Sequence, residues 1–345
     1  AYNEAHHAKK VASHLGTDHT ELYVTPQQAM DVIPRLPYLY DEPFSDPSQI
    51  PTFLVSEMTR QYVTVSLSGD GGDEIFAGYD RYFFANSLWK KIRKIPYPLR
   101  KALASGIKGV KPSTLGASLQ WLSPYLSSYG GQGSFGDKLQ KGADLLLFNT
   151  FEELYLRLIS HWKDTENLVL HSEEPLSPLT DQSLWADLSD NIQTMQYLDT
   201  ISYLPDDILV KVDRAAMGVS LETRVPFLDH RVIEYAWSLP QNMKVRNGDG
   251  KWIIRRLLDK YIPSTLMDRP KMGFGVPIDS WLRGPLRDWA ESLLNESKLH
   301  EEGFFNPTPI RKKLAEHMSG DRNWQYHLWD VLMFESWLES QRENN

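Results

Sequence analysis

The chain has 345 residues, 41% of them hydrophobic, and a formal net charge of -8, enough apolar material for one large or two ordinary domains. The acidic balance excludes a nucleic-acid surface, which needs clustered Lys and Arg in excess. No apolar run approaches the roughly 18 residues of a membrane span and no charged-then-apolar leader precedes Tyr2, so the sequence reads as soluble and cytoplasmic, with no membrane partner.

Ala8, Val11, Ala12 and Leu15 recur at i, i+3, i+4 and i+7, which predicts an amphipathic helix over residues 4–15 closed by Gly16 at the C′ position. A strand is expected at Glu21–Val24. Thr25 then offers an N-cap, and Pro26 an N1 residue, for a short helix through Ile33 that Pro34 interrupts. Asp41 and Glu42 open a proline-punctuated loop running to Pro51, either an exposed acidic turn or the edge of a cleft. A helix over Pro51–Gln61 leads into a β-branched strand, Tyr62–Leu67.

That strand empties into Ser-Gly-Asp-Gly-Gly-Asp-Glu (68–74), followed by an apolar helix. Open α/β sheets keep ligands at such a strand-to-loop exit. Gly69, Gly71 and Gly72 permit positive φ and let backbone N–H groups approach a phosphate or carboxylate, while Asp70, Asp73 and Glu74 offer oxygen ligands for Mg²⁺. The loop reads as a magnesium-nucleotide site, with an ordinary Gly-Asp-Gly turn as the competing reading.

From Tyr79 to about Trp185 the texture changes, first basic and then rich in Ser and Gly, as in a helical insertion or lid. Gly130-Gly131-Gln132-Gly133 has no strand before it and reads as a loop, not a phosphate cradle. Residues 189–337 are mainly helical by periodicity, with breaks at Pro205, Pro226, Pro240, Pro263 and Pro270. His6, His7, His14 and His19 form no convergent set and read as surface residues.

Three further motifs follow the loop in order: Asp-Arg-Ala-Ala-Met (213–217), Glu-Thr-Arg-Val-Pro-Phe-Leu-Asp-His-Arg (222–231) and Arg-Pro-Lys-Met-Gly-Phe-Gly-Val-Pro (269–277). Together, from about Asn3 to Trp337, they resemble the synthetase domain of glutamine-hydrolysing asparagine synthetases. The resemblance implies an α/β adenine nucleotide alpha hydrolase-like (HUP, Rossmann-like) parallel sheet, N-terminally truncated, with a large, mainly helical C-terminal part. Residues 1–85 would be the remnant of the nucleotide-binding sheet, 86–185 the insertion or lid, and 186–345 the helical part completing the active site.

The implied reaction takes Mg-ATP and aspartate to β-aspartyl-AMP and pyrophosphate, after which ammonia from glutamine displaces AMP. By the same resemblance Ser68, Gly69 and Gly71 contact the nucleotide, Asp73 binds Mg²⁺ and Asp70 faces substrate. Lys271 stabilises charge in both steps, and Lys251 contacts phosphate. An acidic residue that acts as acid or base, or orients substrate, is expected near Asp206; Asp207 and Asp213 both remain candidates. Arg224 and Asp229 are expected either as an ion pair behind the site or in direct roles.

The family's Ser-Gly-Gly-x-Asp-Ser pyrophosphate loop has no counterpart in this sequence. Its catalytic glutaminase cysteine has none either, since the chain contains no cysteine, which also excludes disulfides and thiol nucleophiles. The expectation is that a glutaminase domain, the loop and two strands lie upstream. The chain alone would then bind nucleotide weakly and associate through an unpaired sheet edge, with a homodimer as one outcome. Two other readings stay open: an amidotransferase or amide-forming cyclase acting on another carboxylate, and a non-catalytic remnant that binds nucleotide or a protein partner.

Overall fold

The computed structural model describes residues 5–110, 114, 139, 142–267 and 275–343. The chain divides into two compact units, one of residues 1–79, 184–277 and 336–345, the other of residues 80–183 and 278–335.

The first unit carries the only sheet among the described residues. Strand β1 (Val65–Leu67) pairs in parallel with β2 (Glu222–Arg224), with Val65 opposite Glu222, Ser66 opposite Thr223 and Leu67 opposite Arg224. The ladder is extended at its ends by Glu222 N–H to Thr64 O, 3.0 Å, and Ser68 N–H to Arg224 O, 2.8 Å. β1 is shorter than the expected Tyr62–Leu67, and β2 lies in a stretch whose periodicity reads as helical. No strand forms at Glu21–Val24. A strand exists only through a ladder with a neighbour, and no such pairing reaches this segment among the described residues; Leu22, Tyr23 and Val24 stay exposed. The sheet itself is bare for a parallel one, which normally has both faces covered: Leu67 is 74% exposed.

Local signals behave as the sequence requires. Helix Ala5–Leu15 ends at Gly16 with φ 65°. Thr25 caps Pro26–Met30 in a full capping box with Gln28. That helix stops at Met30, short of the expected Ile33, and Pro34 does not end the helical run but lies within a 3₁₀ turn, Ile33–Arg35, followed by a short helix, Leu36–Leu39, because proline is tolerated in a first turn, where its missing N–H costs nothing. Helix Gln49–Arg60 buries Ile50 and Phe53 and lies against helix Val210–Met217, whose Ala215 and Ala216 allow a close approach. Burying a side chain the size of Ile or Phe stabilises by about 1.5–3 kcal/mol each. Between helix Asn191–Ile201 and Val210–Met217 the chain forms a π-helical turn, Leu204–Leu209, a form common at functional sites.

In the second unit, helices Asp80–Ile92, Tyr97–Lys108, Phe151–Ile159, Ile278–Arg283, Arg287–Leu293, Glu296–Glu302 and Pro307–Met318 enclose a core that includes Tyr82, Leu154, Tyr155, Leu282 and Trp329. No helix among the described residues is long and apolar enough to cross a membrane.

Candidate active site

Past the last rung of the ladder, the Ser68 hydroxyl donates to the Asp70 carboxylate. Gly69 follows with open space where a Cβ would stand, so the backbone here is accessible to a ligand. Among the three loop glycines, Gly71 takes positive φ (76°), and a Cβ there would meet Leu228 Cδ2 at 2.5 Å. That turn starts the one-turn helix Gly72–Ile75, with Asp73 and Glu74 in its first turn. Anionic side chains are favoured at that end of a helix.

Asp73 points toward the ammonium of Lys251, with Oδ2 and Nζ 3.1 Å apart and both side chains about a quarter to a third exposed. Lys251 is held in the left-handed region (φ 54°) and its backbone N–H donates to Phe76 O at 2.9 Å. A hydrogen-bonded turn, Arg246–Asp249, precedes it, and Arg246 lies 4.1 Å from the Trp252 ring centroid. Gly78 crosses directly behind the pair. A Cβ on Gly78 would stand 2.2 Å from Asp73 Oδ1 and 2.3 Å from Lys251 Cε, so any other residue here would push the two paired side chains aside.

Glu74 turns inward. It is 1% exposed and hydrogen-bonded to the Tyr79 hydroxyl. Burial raises its carboxyl above the ordinary glutamate value, and the charges of Asp73 and Asp199 add to the effect. Tyr79 meets Tyr203 edge-on at 5.9 Å, immediately before the π-helical turn. Asp206 on that turn is exposed and Asp207 is half-buried. Burial, with the charges of Asp46 and Asp207, drives the Tyr40 hydroxyl well above its ordinary range. Asp213 is exposed one element further on, between Lys211, which pairs with Asp46 at 2.7 Å, and Arg214, which pairs with Asp41 at 2.6 Å. Asp41 and Glu42 are both exposed.

The expected Arg224–Asp229 pair does not form. Arg224 turns to Glu222, its i−2 neighbour on the same face of β2, at 2.6 Å. Asp229 caps helix His230–Ser238 and takes two bonds from the Arg231 guanidinium, which hold its carboxyl well below the ordinary range. Lys271 and the Gly130–Gly133 stretch lie outside the described residues.

The described residues thus join Ser68 with Asp70, and Asp73 with Lys251, around one loop. Sequence reasoning missed the inward turn of Glu74, its partner Tyr79, and Lys211. A tyrosine five residues after a loop glutamate was the available signal for the first two. Among the described residues no cluster of three or more His, Cys, Asp or Glu could hold a metal ion. Asp73, at the start of the one-turn helix, is a loop carboxylate that fits Mg²⁺, which proteins usually hold through only one or two carboxylates. An open cleft of about 390 Å³ lined by Arg60 to Val65 sits at the amino end of β1, whereas parallel sheets bind ligands at the carboxyl end.

These features define an α/β protein with a glycine and carboxylate loop at the carboxyl end of a parallel strand, faced by a lysine. The asparagine synthase family model matches residues 1–339, and the chain belongs to that family. It is 29% identical over 339 residues to asparagine synthetase [glutamine-hydrolyzing] 1 of Bacillus subtilis, covering 97% of this chain and 50% of the relative. To a putative asparagine synthetase [glutamine-hydrolyzing] of Mycobacterium tuberculosis it is 31% identical over 340 residues, covering 97% and 48%. Amidase chyE of Penicillium rubens is 26% identical over 284 residues, covering 73% and 38%. The chain spans about half the length of the first two.

Proposed function

We propose that the chain is the synthetase portion of an ATP-dependent amide ligase that activates a carboxylate, aspartate in the leading reading, as its acyl-adenylate and transfers ammonia to it. The single observation that carries the proposal is the Asp73–Lys251 pair, an acid and a cation 3.1 Å apart beside an accessible glycine backbone at the carboxyl end of β1. In this reading the aspartate side-chain carboxylate attacks the α-phosphorus of ATP and the bond to the pyrophosphate oxygen breaks. Ammonia then attacks the acyl carbon and AMP leaves with the C–O bond electrons.

Ser68, Gly69 and Gly71 bind the nucleotide at the strand exit. Mg²⁺, held by Asp73, would neutralise phosphate charge when bound. Lys251 exchanges its Asp73 partner for phosphate oxygens, and Lys271 stabilises charge in both steps. Preorganised cations of this kind act where charge develops in the transition state. Asp70 faces the substrate, anchored by Ser68. Of the two acidic candidates, Asp207 is the better, because it is half-buried on a π-helical turn whereas Asp213 is exposed. In this reading a glutaminase supplies the ammonia, as the names of the glutamine-hydrolysing relatives suggest, and a pyrophosphate loop of the Ser-Gly-Gly-x-Asp-Ser kind would have to join the site beside exposed β1.

A second reading keeps the adenylating step but changes the acceptor, as the family likeness to a protein named an amidase allows. Supplying ammonium chloride, ATP and Mg²⁺ with a panel of carboxylates bypasses the glutaminase. AMP and asparagine appearing only with aspartate supports the leading reading. AMP and a different amide with another carboxylate supports the second, and no AMP with any carboxylate, even with the upstream segment added, refutes both.

A further inference from the structure

A helix of one turn cannot hold itself together, because nucleation costs more than one turn's hydrogen bonds return, so Gly72–Ile75 depends on what satisfies its terminal carbonyls. All four are taken. Asp73 O accepts from Gly78 N–H at 2.7 Å, and Phe76 O from Lys251 N–H at 2.9 Å. Glu74 O and Ile75 O both accept from one side-chain amide, Gln196 Nε2, at 2.8 and 3.0 Å. Gln196 is 0% exposed, on helix Asn191–Ile201. Its Oε1 in turn accepts from Gln241 Nε2 at 3.3 Å, which fixes the amide orientation, since the flipped amide would set oxygen against two carbonyls.

We infer that Gln196 is a positioning residue for the nucleotide loop. By holding two of the four carbonyls it sets the rotation of the one-turn helix, and with it the direction of the Asp73 carboxylate toward Lys251. Only a primary amide fits this position. It donates two N–H bonds and accepts a third, whereas a carboxylate would repel both carbonyls and an apolar side chain would leave them buried without a donor. The effect on nucleotide binding rests on the ligase reading; the effect on the loop does not.

The test is hydrogen exchange read by mass spectrometry on residues 69–78 in Gln196→Leu and Gln241→Met, with Ser66 and Thr223 in the paired strands as internal reference. Loss of a buried hydrogen-bond partner is expected to speed loop exchange about tenfold in Gln196→Leu, with the strands unchanged. Gln241→Met keeps the two loop bonds and frees only the amide oxygen, so it serves as the folded background if Gln196→Leu unfolds, with about a threefold effect expected. Loop exchange that matches the unsubstituted chain in the folded variants overturns the inference.

A parallel assay of pyrophosphate exchange, with the upstream segment present, expects a roughly tenfold rise in the KM for Mg-ATP with kcat nearly unchanged; Asp73→Asn separates the two questions. Faster loop exchange with nucleotide kinetics indifferent to both Asp73→Asn and Gln196→Leu refutes the ligase reading and leaves Gln196 as a loop anchor. Kinetics sensitive to Asp73→Asn with an unmoved loop in Gln196→Leu refutes the positioning role alone.

Discussion

Lys244 is a buried cation for which the described residues supply no acceptor. Its side chain is 0% exposed, its Nζ has no hydrogen-bond partner among the described residues, and its nearest compensation is the Trp237 ring, whose centroid lies 4.5 Å away. Burial pushes its amine down to about 8 from an ordinary 10.5. That difference corresponds to about 3 kcal/mol of destabilisation of the folded protonated form, at about 1.4 kcal/mol per pH unit. Lys244→Met keeps most of the stem and removes the charge, but also forfeits a cation–π contact of about 0.5–2 kcal/mol. The variant is therefore expected to be more stable by about 1–3 kcal/mol at pH 7.

The sign of the pH dependence follows from linkage. The unfolded chain binds the extra proton between pH 8 and 10.5, so stability of the unsubstituted chain rises with pH through that window. The Lys244→Met advantage is complete below pH 8 and disappears as pH approaches 10.5. Urea unfolding at pH 7, 8.5 and 10 reads this directly. A variant that is less stable at pH 7, or an advantage that does not change with pH, would refute the reasoning, because Lys244 would then be supported as a charge.

Gly78→Ala drives a Cβ between Asp73 and Lys251, so Mg-ATP binding followed by calorimetry, with the upstream segment present, is expected to weaken at least about tenfold while far-UV circular dichroism is unchanged. Lys211→Met strands the Asp46 carboxylate, whose partner lies 2.7 Å away and only partly exposed, and should lower stability by about 2–4 kcal/mol; Asp46→Asn in the same background should recover part of that loss in a double-mutant cycle. In the second unit, burial holds the His317 imidazole at about 4, with Arg283 assisting and Asp279 opposing. Its folded value lies below the ordinary 6.5, so the stability it confers is present above pH 6.5 and is lost as pH falls through 4. His317→Gln should flatten the drop in urea midpoint between pH 7 and 4.5.

What was legible in the sequence was local. Gly16 and the Thr25 capping box involve residues within a turn of one another, and the loop glycines and carboxylates declare themselves by spacing. β2 was hidden because three residues, Glu222 to Arg224, carry no period, and their strand identity comes from a ladder with residues 157 positions earlier. The same ladder rule removed the strand at Glu21–Val24, whose β-branched and aromatic character was real but unpaired. Gln196 was invisible because its partners are backbone carbonyls, which have no sequence signature. Asp73 and Lys251 were each picked out by the resemblance to a known family, but their pairing needed the left-handed turn at Lys251 and the missing side chain at Gly78.

In the proposed function Asp73 and Lys251 belong to an adenylating site. Carboxylate-dependent exchange of labelled pyrophosphate into ATP tests it most directly, measured on the chain with an upstream segment of the kind its relatives carry. The expected result is exchange with aspartate that falls at least about a hundredfold in Asp73→Asn. Exchange that is equally fast in Asp73→Asn and Lys251→Met would contradict the account, because the pair would then stand outside the chemistry.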